Sequence, residues 1–442
     1  MRAATKWITA GTVLALLSAC GQGEQPLPGK RIGIREAAGV ADIGGATAPT
    51  YRGSAPISLP APVNHGSWTH RNGGPQHRIQ HPALARNVQA IWRANIGSGD
   101  SRKARITADP VASGGRIFTM DSRAQVSAVS SGGAVIWSTD ITPARDRTTD
   151  ASGGGLAVSG NTLYVTSGYG ELLALDVATG GLRWRQRFDG PVQGTPTVEG
   201  GTVYVVSRDN RAFAVEASNG RLKWEMPGTP TPSVMSGGAG PALTDRSVIF
   251  PLGNSQVTGA LKLSGVRTWS EIIAGERRGR AYTGYTDVTG DPVVVGSTVY
   301  VGTQSGRTVA LNVDTGERLW TALDGAYSPV WPAGNSLFYV TDASQLVRVS
   351  AATGDTIWSA KLPDYSARRE RRRKAVVAHY GPVLAGGLLR VASDDGLLRS
   401  FDPTSGALVS AVELPGGAAS NPIVVAGALY VVNRKGQLVA FR

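Results

Sequence analysis

The sequence predicts an all-β fold, an eight-bladed β-propeller of four-stranded antiparallel blades, with seven blades as the alternative because the copy from Ser101 to Trp137 is irregular. Three observations carry the prediction. From residue 90 onward one pattern recurs, marked by Trp92, Trp137, Trp184, Trp224, Trp269, Trp320 and Trp358, with Val409 standing in the next copy. Each copy holds four short apolar segments separated by turn residues, which is the content of one propeller blade. The last copy, 421 to 441, holds only three such segments, while an unmatched fourth lies around Trp92 at 88 to 96. An N-terminal strand therefore completes the last blade, and ring closure removes the sheet edges that would otherwise invite aggregation.

Taken in order, Arg2 and Lys6 precede an apolar run, Trp7 to Leu17, too short to span a bilayer and suited to the core of a signal peptide. Leu17-Ser18-Ala19-Cys20 follows and resembles the bacterial lipobox, which implies cleavage after Ala19 and acylation of Cys20. Gly21, where an Asp would signal retention at the inner membrane, implies an outer-membrane lipoprotein facing the periplasm. Residues 1–19 are thus read as a signal peptide. Residues 20–66, rich in Gly, Pro, Ala and Ser without a hydrophobic period, are read as the lipidated Cys and a flexible tether. Residues 67–442 are the propeller. Loss of Arg2 and Lys6 would lower the formal net charge from +13 to +11.

Composition supports this division. The 442 residues include 58 Gly and 25 Pro, charged residues make up only 17%, and about 25% is usual. That mixture favours tight turns and short strands over long surface helices. A hydrophobic content of 41% allows a real core and excludes wholesale disorder. The single Cys excludes a disulfide framework.

Within each copy the parts have separate reasons. Pro110, Pro196, Pro241, Pro292, Pro329, Pro382 and Pro422 stand at the entrance, where a residue lacking an N–H suits the start of a strand. A strand of Val-Tyr-Val type follows a Gly-bearing turn. Next comes Leu-x-Ala-Leu-Asp, and then a Thr-Gly turn whose Gly (Gly180, Gly220, Gly316, Gly354, Gly406) is free to take positive φ. The Trp lies just past that turn, and one large apolar residue per repeat reads as packing between blades.

The pattern Ala-Leu-Asp-x-x-Thr-Gly-x-x-x-Trp resembles the repeats of quinoprotein dehydrogenases, which bind pyrroloquinoline quinone. It resembles equally the BamB family of outer-membrane assembly lipoproteins, and the resemblance covers residues 90 to 442. A lipobox, a tether and about 350 residues of repeat fit the BamB family. The enzymes, in contrast, typically carry adjacent cysteines over the quinone and a metal held by Glu, Asn and Asp. The resemblance implies a non-enzymatic scaffold with no cofactor and no metal, a monomer within a complex, gripping a BamA-like subunit through two neighbouring interblade loops. In the first loop Met235 matches an apolar family contact, and Ser236 stands where the family carries Arg. In the second, Asp287 matches the first acidic contact and Thr289 departs from the second. The alternatives are a quinone-binding, dehydrogenase-like protein and a periplasmic sensing propeller with another partner.

Two features remain outside the repeat. His65, His70, His77 and His81 crowd one short segment, but their spacing matches no zinc pattern, and Asp42 is the one acid between Glu36 and Asp100. The segment is read as a loop laid under the propeller. Basic clusters occur at 145–147, 277–280 and 368–374. An exported protein rarely meets nucleic acid, so these read as solvated charge or as attraction to lipid headgroups or an acidic protein face.

Overall fold

The computed structural model describes residues 53, 55–192, 194–231, 237–275, 287–367, 369, 371, 373 and 375–442. Cys20, Met235 and Ser236 lie outside these. Among the described residues, thirty-two strands form eight four-stranded sheets. Blades 1 to 7 occupy 111–140, 154–187, 197–226, 242–272, 293–322, 331–361 and 379–413. Each runs through strands a, b, c and d, from the inner strand outward. Blade 8 takes strands a to c from 423–441 and strand d from Ala90–Asn95, which pairs antiparallel with Gln437–Phe441. The expected closure is therefore the observed one.

One row of side chains explains the repeat motif. In blade 2, Tyr164 on strand b, Ala174 on strand c and Trp184 on strand d face one another across the sheet. The two rings tilt together with centroids 5.9 Å apart, which the small Ala174 permits. A bulge beside Ala174 re-aims strand d. The indole then reaches blade 3, where its N–H donates to Ala217 O at 2.9 Å and its face covers Gly220. Gly220 has φ +77°, and a Cβ there would stand 2.6 Å from the indole. Only glycine meets both demands. The turn ahead of Gly180 is held by Asp176, whose Oδ1 accepts N–H bonds from Ala178 and Thr179. The Arg183 guanidinium, followed by these turn donors, draws the Asp176 carboxyl down to about 2.

The same latch joins blades 8–1, 1–2, 3–4, 4–5, 5–6 and 6–7, through Trp92, Trp137, Trp224, Trp269, Trp320 and Trp358. The seam between blades 7 and 8 lacks it. Pairing places Ser410, not Val409, in the tryptophan position opposite Ser400, so the sequence alignment was one residue out in that copy. The missing Trp has a physical cause. Blade 8 is where the chain opens, so it has no c–d turn and no glycine for an indole to cover.

Blades 6 and 7 depart from the row in another way. Arg348 takes the place of the strand-c Ala, and Arg390 that of the strand-b Tyr; both are fully buried. Arg348 donates to Ala55 O (2.8 Å) and Pro56 O (3.0 Å), and Arg390 to Ala85 O and Arg86 O (both 2.9 Å). Burial lowers the Arg390 pKa to about 10, and the neighbouring Arg86 adds to the shift. The two irregular repeats are thus the ones that hold the N-terminal strap. The packed strap begins at Ala55, inside the stretch read as tether. Its Ile57, Leu59, Ile79 and Leu84 join the core cluster shared by blades 6, 7, 8 and 1. Every other blade seam has a core cluster of its own, such as Val126 with Leu163 and Leu173 between blades 1 and 2.

Candidate functional site

The inner strand of each blade leaves one row of N–H and C=O groups facing the hub, and unpaired buried backbone is costly. Residues 65–82 meet that need. Rather than lying under the propeller, the segment enters the hub as a loop and touches all eight inner strands or their ends. Trp68 exchanges two backbone bonds with Ala112 of blade 1, both 2.7 Å. Thr69 O accepts from Val158 N, Pro75 O from Leu243 N, Gln76 O from Val294 N, and Pro82 O from Gly386 N. Those serve blades 2, 4, 5 and 7. His65 O takes Ala426 N of blade 8, Asn72 reaches Val330 O ahead of blade 6, and His70 engages Val198 of blade 3. At the tip, Asn72 and Gly73 take positive φ, 58° and 114°.

Arg71, beside that tip, is the charged centre of the hub. Its Nε lies 2.8 Å from Asp109 and its Nη1 3.1 Å from Asp291, the residues just ahead of Pro110 and Pro292 in blades 1 and 5. Burial opposes charge on Arg71, but Asp291 and Asp109 outweigh it and raise its pKa, so the cation is secure. Asp109 also accepts Asn421 N (2.8 Å) and Nδ2 (2.7 Å), and Asp291 accepts Gly240 N (2.6 Å). One guanidinium therefore couples blades 1, 4, 5 and 8. Trp68 stacks on Trp331 at 6.2 Å, both fully buried. A flat redox cofactor in this hub would have to displace these side chains.

The histidines do not converge. His70 accepts the Val198 N–H, His77 Nδ1–H donates to Pro292 O, and His81 sits between Pro60 O and Gly387 N. Burial drives His70 and His77 down to about 3, with the His70–His77 and Arg71–His77 repulsions adding to it. Both are neutral in the folded protein, whereas the unfolded chain protonates them near 6.5. Between those values the unfolded state holds more protons, so stability is constant above pH 6.5 and falls as the pH drops below it. Each His costs about 1.4 kcal/mol per pH unit, which predicts a loss on the order of 4 kcal/mol from pH 7 to 5. Urea midpoints at the two pH values check this, and the double variant His70→Gln, His77→Gln should flatten the dependence.

The second candidate surface is the face bearing the d-to-a connections between blades. Of the two loops singled out, the structure describes the end of the second. Val288 is buried in the core shared by blades 4 and 5, and its N–H donates to Leu252 O. Thr289 Oγ1 donates to Ala326 O at 3.0 Å, and Gly290 N to Gly302 O. Thr289 therefore ties this loop to the next connection. Asp287, half-buried, precedes the pinned stretch.

A closed ring of eight latched blades with this motif defines the class, a propeller of pyrroloquinoline-quinone-type repeats. The chain belongs to the family described as outer membrane protein assembly factor BamB, whose sequence profile matches residues 122–360 and 364–442. An outer membrane protein assembly factor BamB of Shewanella oneidensis is 26% identical over 361 residues, covering 79% of this chain and 88% of that protein. One from Alteromonas naphthalenivorans is 31% identical over 265 residues, covering 56% of this chain and 62% of its own. Among solved structures, BamB from Moraxella catarrhalis superposes with a TM-score of 0.66 at 16% identity, over 80% of this chain and all of that one. A quinohemoprotein alcohol dehydrogenase from Comamonas testosteroni gives 0.63 at 14%, over 86% and 81%, so the fold itself is shared with enzymes.

Proposed function

We propose that the protein is a non-enzymatic scaffold of outer-membrane β-barrel assembly, holding a BamA-like subunit on the face that carries its interblade connections. Membership of the BamB family supports this reading. The observation that carries it is the pinned stretch 288–290 next to Asp287. A buried Val288 and the Thr289 tie to Ala326 keep Asp287 at a set place on a ring that the latches make stiff. A scaffold works by geometry, presenting contacts from neighbouring blades at constant separation. Met235, Ser236 and Thr289 complete the proposed contact, Thr289 mainly by positioning its loop. Cys20 carries the lipid that keeps the ring at the outer membrane, facing the periplasm, through the segment upstream of Ala55.

Affinity capture from detergent-solubilised membranes tests the reading. The full chain should recover a BamA-like subunit. Asp287→Arg should cut that recovery by roughly tenfold through like-charge or steric mismatch at the contact, with little change in the unfolding midpoint. Capture without any such subunit refutes the scaffold, and undiminished capture by the variant removes Asp287 from the contact.

A further inference from the structure

The connection between blades 6 and 7, residues 362–378, carries the densest run of positive charge in the sequence. Its two ends close on each other at a neck, and the stretch between them is called the arm. Tyr365 bridges Val376, Ser366 N donates to Ala375 O (3.1 Å), and Val377 N to Asp364 O (3.0 Å). Leu362 and Val377 are buried beneath the neck. Between Ala367 and Ala375 the sequence places six basic residues and one acid, Glu370. Several arginines on the blades pair with carboxylates: Arg183 has Asp176, Arg211 has Asp209 and Glu225, Arg318 has Glu271, and Arg399 has Asp395. Arg369, Arg371 and Arg373 are exposed, and among the described residues none makes an ion pair. Arg373 stands over the Tyr365 ring, 5.3 Å from its centre, and Asp364 at the neck is paired with Lys361 instead.

An array of unpaired guanidinium forks suits an oxyanion-rich surface, since each fork takes a carboxylate or phosphate in two-point fashion. Chain topology says which surface. The arm is a d-to-a connection, so it leaves the same face as Asp287. The strap leaves the opposite face: Ser58 O crowds Gly334 in an a–b turn of blade 6, and Arg348 joins Pro56 O to Thr404 O in the c–d turn of blade 7. The described start of the strap thus lies on the face opposite the arm. The arm also lacks an apolar wedge, because Val376 is its single exposed large hydrophobic residue among those described.

We infer that this arm is a second docking element, which grips an acidic protein surface on the partner held at the Asp287 face; the inference rests on the scaffold reading above. The test compares the full chain with the triple variant Arg369→Glu, Arg371→Glu, Arg373→Glu in two assays. One is capture from solubilised membranes at low and at physiological ionic strength. The other is co-sedimentation with phosphatidylcholine vesicles containing phosphatidylglycerol. The variant should recover the BamA-like subunit roughly tenfold less than the full chain, with the gap narrowing as salt rises. Vesicle binding should be the same for both proteins. Should charge reversal disturb folding, the milder Arg→Gln triple is expected to show the same loss in part, with an unchanged urea midpoint. Undiminished capture by the variant overturns the arm while leaving the scaffold reading standing. Undiminished capture together with lost vesicle binding assigns the arm to lipid phosphate instead. Capture of no BamA-like subunit by the full chain overturns both.

Discussion

Arg71→Met is expected to remove about 3–5 kcal/mol of stability, more than any substitution at a solvated loop, because it strands buried carboxylates. Asp109 and Asp291 face the hub from blades 1 and 5, and both are buried. Their other partners, Asn421 and Gly240, offer neutral N–H groups and no counter-charge. Burial pushes the Asp291 carboxyl up against the pull of Arg71, so without the guanidinium its charged form is hard to keep. Urea unfolding at pH 7 reads the loss. Changing all three residues together, to Met, Asn and Asn, should recover more than half of it, since a buried charge network is costly mainly when broken in part. A loss below about 1 kcal/mol would place Arg71 among ordinary surface ion pairs and remove it as the tie across the hub.

The ring was legible in the sequence because its repeat is written in side chains. A Trp after a Thr-Gly turn, an Ala on the strand next to a Tyr and a Pro ahead of the inner strand are each demanded by contacts that recur. The closure by Ala90–Asn95 followed from counting segments. The hub loop was not legible, because most of what holds it is backbone: Trp68 with Ala112, Thr69 with Val158, Gln76 with Val294. Such bonds leave no residue pattern, and the four histidines, whose spacing matches no zinc pattern, gave no sign of the backbone groups they serve. A usable signal did exist. Arg348 and Arg390 stand where the repeat calls for Ala and Tyr, and an unexplained buried cation at a core position asks what carbonyls it serves. The partner surface is legible only as far as Asp287 and Thr289, since a contact with another chain follows no internal period.

Trp358→Ala is expected to cost about 3–5 kcal/mol, the usual range for emptying a fully buried indole site. It removes the stack on Phe338, with centroids 6.0 Å apart, and the N–H bond to Pro403 O at 3.1 Å. Ser410→Ala, at the equivalent place one blade on, should stay within about 0.5 kcal/mol, because no turn glycine of blade 8 waits opposite it. Gly406→Ala probes the other half of the latch. Its φ is +72°, and a Cβ would meet the Trp358 ring at 2.7 Å, so it should destabilise by several times the about 1 kcal/mol that strain alone brings. Combined with Trp358→Ala, Gly406→Ala should cost markedly less than it does alone, because the clash is then gone while the positive φ remains. Additive losses in that double variant would mean that the indole and the glycine act separately. The absence of Trp from the seam between blades 7 and 8 would then lose its explanation in the open chain ends.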